Sequence, residues 1–123
     1  MISRETILDY ALSLPGAASD QPFDEDFDST VLRHRASGKW FGLIIKAPRR
    51  KIGLEGDGES DVLNLKCDPV VAYGLTQTVP DIIPAWHMNK HHWISIRLEG
   101  DVPRDQLEAL IDLSYCLTGG HLS

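Results

Sequence analysis

The chain has 123 residues, 42% of them hydrophobic, and a formal net charge of -6. That length fits one domain with a core large enough to fold without disulfides or metal, no run approaches the roughly 18 apolar residues that cross a bilayer, and the acidic total argues against coating nucleic acid through bulk charge. The opening Met1-Ile2-Ser3-Arg4-Glu5 turns acidic instead of leading into an apolar signal core, so a cytoplasmic protein with no membrane partner is expected.

In chain order, Ser3 is placed to cap a first helix with Ile7, Leu8, Ala11 and Leu12 at helical spacing, and Pro15-Gly16 ends it. Ala17 to Ser29 reads as an acidic loop, with Asp24, Glu25, Asp26 and Asp28 around two aromatic anchors, Phe23 and Phe27. Thr30 to Arg35 and Lys39 to Ile45 are β-rich runs joined by Ser37-Gly38, the pattern of a hairpin. Arg49-Arg50-Lys51 then reads as a loop tip or the start of another short strand, and Val62 to Lys66 as a half-buried strand with Leu63 and Leu65 inward. Asp68-Pro69 signals a capped helix start, leading through Val71, Ala72 and Leu75. Pro80 and Pro84 bracket an irregular approach to His87. Ile94, Ile96 and Leu98 face one way along the next strand, and Pro103 opens a last helix with Leu107, Leu110, Ile111 and Leu117 on one stripe, closed by Gly119-Gly120. Together these predict a single α+β domain over residues 1–123, with an antiparallel sheet of about five strands, terminal helices packed on one face, and the other face at least partly open to solvent.

Charge is unevenly placed. Arg33, Arg35, Lys39, Lys46, Arg49, Arg50 and Lys51 fall between Thr30 and Lys51 with no acidic residue among them, leaving five basic and eighteen acidic residues elsewhere. Such a segment offers phosphate contacts from a two-stranded ribbon and its loops, with Lys90 beside them. The alternative is an exposed basic strand face balanced in space by the acidic loops.

The segment His87-Met88-Asn89-Lys90-His91-His92-Trp93, followed by a strand ending in Leu98-Glu99-Gly100, resembles the signature of the MmcQ/YjbR family of small bacterial proteins; His87, Met88, Asn89, Lys90, His92 and Trp93 carry the match. The resemblance extends to the leading helix ending in Leu14-Pro15-Gly16, the Leu65-Lys66 strand end and the closing helix with Asp112, Ser114 and Tyr115. It implies a frataxin-like (CyaY-like) fold and DNA binding through β-hairpin wings, to which Asn89, Lys90 and His92 would add polar contacts.

Other chemistry finds less support. His87 and His92, five apart, fall on opposite sides of an extended strand and make a poor metal pair; Asn89 and the histidines are expected to hydrogen-bond the loop backbone, leaving Lys90 to reach outward. A frataxin-like metal site would draw on Glu5, Asp9, Asp20 and Asp28 with the acidic loop, but exposed carboxylates hold a hard cation weakly. No G-x-S-x-G, P-loop, H-E-x-x-H or Rossmann glycine pattern is present, so neither catalysis nor a cofactor is expected, although His92 with Ser95 or Asp112 would suit general acid-base work. Cys67 and Cys116 lack metal or redox spacing and read as free thiols. A further class is a protein- or small-ligand-docking domain using Trp40, Trp86, Trp93 and the open sheet face.

Overall fold

The computed structural model describes residues 1–22 and 28–122. Helix α1 (Arg4–Leu12) leads into strand β1 (Ala17–Asp20), the hairpin strands β2 (Thr30–His34) and β3 (Trp40–Pro48), and a single 3-10 turn (Arg49–Ile52). Strand β4 (Glu59–Lys66), helix α2 (Pro69–Thr78), strands β5 (Ile82–Pro84) and β6 (Trp93–Arg97), and helix α3 (Arg104–Leu117) complete the chain. Both predicted caps form. Ser3 Oγ accepts from the Thr6 amide at 3.1 Å, and Asp68 Oδ1 accepts from the Val70 and Val71 amides, which satisfies donors that a helix start leaves without intrahelical partners.

The six strands form one antiparallel sheet in the order β1-β2-β3-β4-β6-β5. A register shift between Leu32 and Arg33 leaves Phe41 without an opposite partner. Through this bulge Phe41 and Leu32 belong to the same core, while Trp40 lies opposite Arg33 on the other face. Gly42 leaves room there, because a Cβ on it would come within 2.8 Å of the Leu32 side chain, which would have to shift.

All three helices pack on one face over Leu32, Phe41, Ile44, Leu63, Leu65, Ile94 and Ile96. Ser114 ties α3 to the sheet, its hydroxyl donating to the Phe41 carbonyl at 2.5 Å and accepting the Lys66 amide at 2.8 Å. The opposite face, expected to be at least partly open to solvent, is partly covered. Val31, Leu43, Ile45, Ala47 and Val62 form a second, smaller core there, closed by Ile52 of the 3-10 turn and by Leu54, Trp86 and Met88. Burying those side chains removes apolar area from water at about 25 cal/mol per Å2, which is why the turn and the loop fold over the sheet.

Other departures from the sequence reading have local causes. Ala17–Asp20 is an edge strand paired with β2, not part of a loop, and Ile82–Pro84 adds a second short edge strand beside β6. Proline is tolerated at an edge because its missing donor can face away from the ladder. Arg49-Arg50-Lys51 forms a 3-10 turn instead of a loop tip or strand. Leu12 and Leu117 are exposed; the inward stripe of α3 runs Leu107, Leu110, Ile111, Ser114, Tyr115, Thr118, and Leu117 falls off it. The expected aromatic anchors Phe23 and Phe27, with Asp24, Glu25 and Asp26, lie outside the described residues. Cys67 is buried and Cys116 exposed, both as free thiols.

Candidate functional site

The His87 segment lies in the loop between β5 and β6, and a closed ring of hydrogen bonds holds the residue before it, Trp86, to the sheet. The Trp86 amide donates to Ser95 Oγ at 2.8 Å, the Ser95 hydroxyl donates to Asn64 Oδ1, and Asn64 Nδ2 donates to the Trp86 carbonyl at 2.9 Å. Asn64 and Ser95 are register partners on β4 and β6 and are fully buried. Beyond Trp86 the backbone turns through a left-handed conformation at His87 (φ 64°), whose ring lies edge-on against the Trp86 indole. Asn89 then organises the turn: its Oδ1 accepts from the His91 amide at 2.8 Å and the His92 amide at 3.3 Å, and its carbonyl accepts from the Trp93 amide at 2.9 Å. The His92 carbonyl accepts from the Cys67 amide, while the imidazoles of His87, His91 and His92 and the Lys90 ammonium stay exposed. Among the described residues, His92 is therefore engaged through its backbone alone.

The far end of β6 is fixed by Arg97. Its guanidinium donates to Asp81 Oδ1, to the Ile52 carbonyl and to the Pro80 carbonyl, and Asp81 Oδ2 accepts from the Asp101 amide. This explains the strand ending: Leu98 is core, Glu99 pairs with Arg49 and Ser60, and Gly100 packs against the Asp81 carboxylate.

The fold divides the basic segment. Arg33 makes two bonds to the Asp20 carboxylate, at 2.8 and 3.0 Å, and lies 5.9 Å from the Trp40 ring centroid. Lys46 pairs with Asp28 at 3.8 Å, Arg50 with Asp57 at 3.1 Å, and Arg49 grips both oxygens of Glu99 at 2.5 and 3.0 Å. Arg49 and then Ser60 hold the Glu99 carboxyl below its usual range. Lys51 makes no ion pair among the described residues, but it shares the β3–β4 connection with Glu55 and Asp57. β3 spans nine residues, about 3.3 Å each, so Arg35 and Lys39 before it lie far from Arg49, Arg50 and Lys51 after it.

Arg35 and Lys39 occupy the β2–β3 turn, Lys66 ends β4 opposite Trp93, and Lys90 lies in the β5–β6 loop. The antiparallel order puts all four at one end of the sheet, and none makes an ion pair with a described residue. The connections there carry one carboxylate, Asp68, which is occupied in capping α2. Lys66 and Tyr73, which borders the same end, were missed from sequence: Lys66 reads as the solvent side of a strand, and Tyr73 as one more residue of a short helix.

The candidate acid-base groups are apart. Ser95 belongs to the buried ring, while Asp112 accepts from the Tyr10 hydroxyl at 2.6 Å; burial and then that carboxylate push the Tyr10 phenol up to about 12. Asp20, from the acidic set, is committed to Arg33. Among the described residues, no three His, Cys, Asp or Glu side chains group to hold a metal ion.

Both the sequence and the overall fold match known proteins. The sequence matches the YjbR family over residues 12–117, and the chain belongs to that family. It is 40% identical over 118 residues to the uncharacterized protein YyaQ of Bacillus subtilis, covering 96% of this chain and 99% of that one. It is 28% identical to the uncharacterized protein YjbR of Escherichia coli K12, covering 89% and 80%. A crystal structure of a Pseudomonas syringae protein superposes with a TM-score of 0.89 at 37% identity, covering 95% and 99% of the two chains. A Deinococcus radiodurans protein does so with a TM-score of 0.74 at 28% identity, covering 95% and 78%.

Proposed function

We propose that this domain is a weak, sequence-tolerant nucleic-acid binder that takes the phosphate backbone at the end of the sheet bearing Arg35, Lys39, Lys66 and Lys90. One observation carries the reading: these cations gather at one end without carboxylate partners among the described residues, whereas Arg33, Lys46, Arg49 and Arg50 are already paired. A paired cation must give up its carboxylate before it can release a counterion from DNA, so the free end is where phosphate contacts cost least. Phosphate contacts read no sequence, which makes the binding tolerant. The negative total charge keeps it weak.

The test is an anisotropy titration of a fluorescent oligothymidylate over a range of salt. Replacing Arg35, Lys39 and Lys90 by Gln should flatten the salt slope by roughly 2, about 0.7 per lost contact on a single strand. Replacing Arg49, Arg50 and Lys51 by Ala should change it far less. No binding by the unaltered protein at low salt would overturn the reading, and so would a slope that follows the second set of substitutions.

A further inference from the structure

Beside the basic end, α2 and the β5–β6 loop enclose a cleft of about 370 Å3. Its lining includes Tyr73, Thr76 and Gln77 from α2 with Lys90, His91 and Trp93 from the loop and β6, and among the described residues it contains no carboxylate. α2 carries no charged residue at all, and its Tyr73 is 70% exposed. An aromatic side chain this open makes little use of its apolar area in folding. The other groups are those that read a base: Gln77 has a donor and an acceptor on one amide, the Thr76 hydroxyl keeps acceptor capacity after donating to the Tyr73 carbonyl, and Lys90 supplies a cation at the rim.

We propose that this cleft takes one unpaired nucleobase of the strand held at the basic end, stacked on Tyr73, with Lys90 on the adjoining phosphate. The proposal rests on the nucleic-acid reading above and adds a preference to it. A base can enter only when it is out of the helical stack, so the domain favours single strands, or ends and bulges, over intact duplex. The complementarity is specific to an aromatic ring joined to an anion, since a carboxylate-free cleft with one cation at its rim suits both halves of a nucleotide.

Three probes of equal length decide it: oligothymidylate, an abasic strand with the same number of phosphates, and a duplex. The protein should bind oligothymidylate at least about five-fold more tightly than the abasic strand, the low end of what one stacked base contributes, and more tightly than the duplex. Tyr73→Ala should erase the difference between the two single strands while leaving the melting temperature and the salt slope unchanged. Tyr73→Phe should retain it. Equal affinity for oligothymidylate and abasic strand, a duplex bound as tightly, or a full base preference in Tyr73→Ala would each overturn the cleft assignment and leave backbone binding standing. No binding of any probe would remove both.

Discussion

At the scale of single residues, His34 carries the clearest solution consequence. It is 8% exposed, wedged between Phe41 and Tyr115, with Nε2 2.6 Å from Thr118 Oγ1. The Thr118 hydroxyl donates to the Ser114 carbonyl, so it accepts from the imidazole, which fixes a proton on Nε2. Burial lowers the pKa of this ring, with Lys39 adding to the effect against a backbone hydrogen bond at Tyr115 that opposes it. The unfolded chain thus takes up a proton near the ordinary value while the folded chain resists until lower pH. The contribution to stability is complete above about 6.5 and declines as pH falls through that value toward the folded pKa. The melting temperature should drop between about pH 7 and about pH 5, and less steeply in His34→Gln; identical pH profiles for the two proteins would refute the assignment. Gly100 makes a second point. A Cβ there would stand 2.0 Å from the Asp81 carboxyl carbon, so Gly100→Ala must displace the carboxylate that holds Arg97 and the Asp101 amide. A loss of about 1–3 kcal/mol in urea unfolding is expected, and an unshifted midpoint would show that Asp81 moves aside freely.

At the scale of elements, the ring of Asn64, Ser95 and the Trp86 backbone joins β4, β6 and the β5–β6 loop. Asn64→Ala would leave the Trp86 carbonyl without its donor and the Ser95 hydroxyl proton without its acceptor, at about 1–3 kcal/mol. The loop over the second core should loosen, giving a red shift of tryptophan emission; unchanged emission together with unchanged stability would show that the ring does not hold the loop. The same ring explains what sequence could and could not disclose. Periodicity placed Ile94, Ile96, Leu98, Leu107, Leu110 and Ile111 in the core, and all six are buried. It assigned Asn64 and Ser95 to a wet face for the same reason, since alternation records polarity and cannot say that Trp86 and Met88 fold back over it. The edge strands escaped notice because pairing with a neighbour, not their own three or four residues, makes them strands. The candidate site was partly legible: Asn89 and Lys90 stand out in sequence, but the separation of Arg35 and Lys39 from Arg49, Arg50 and Lys51 follows only from the length and direction of β3.

At the scale of the whole molecule, charge is sorted along the strand axis. Arg35, Lys39, Lys66 and Lys90 lie at one end, and at the other the connections carry Asp28, Glu55, Asp57, Asp81, Glu99 and Asp101, which outnumber Arg49, Arg50 and Lys51 there. The protein therefore has a permanent dipole moment directed along its sheet. In the field of a polyanion such a body feels a torque before it feels any contact, over a distance set by the Debye length, about 8 Å at physiological salt. If the proposed function holds, it would arrive already turned, cation-rich end first. Fewer encounters would be wasted on wrong orientations than its net repulsive charge suggests, and added salt would slow capture by removing the alignment as well as the attraction.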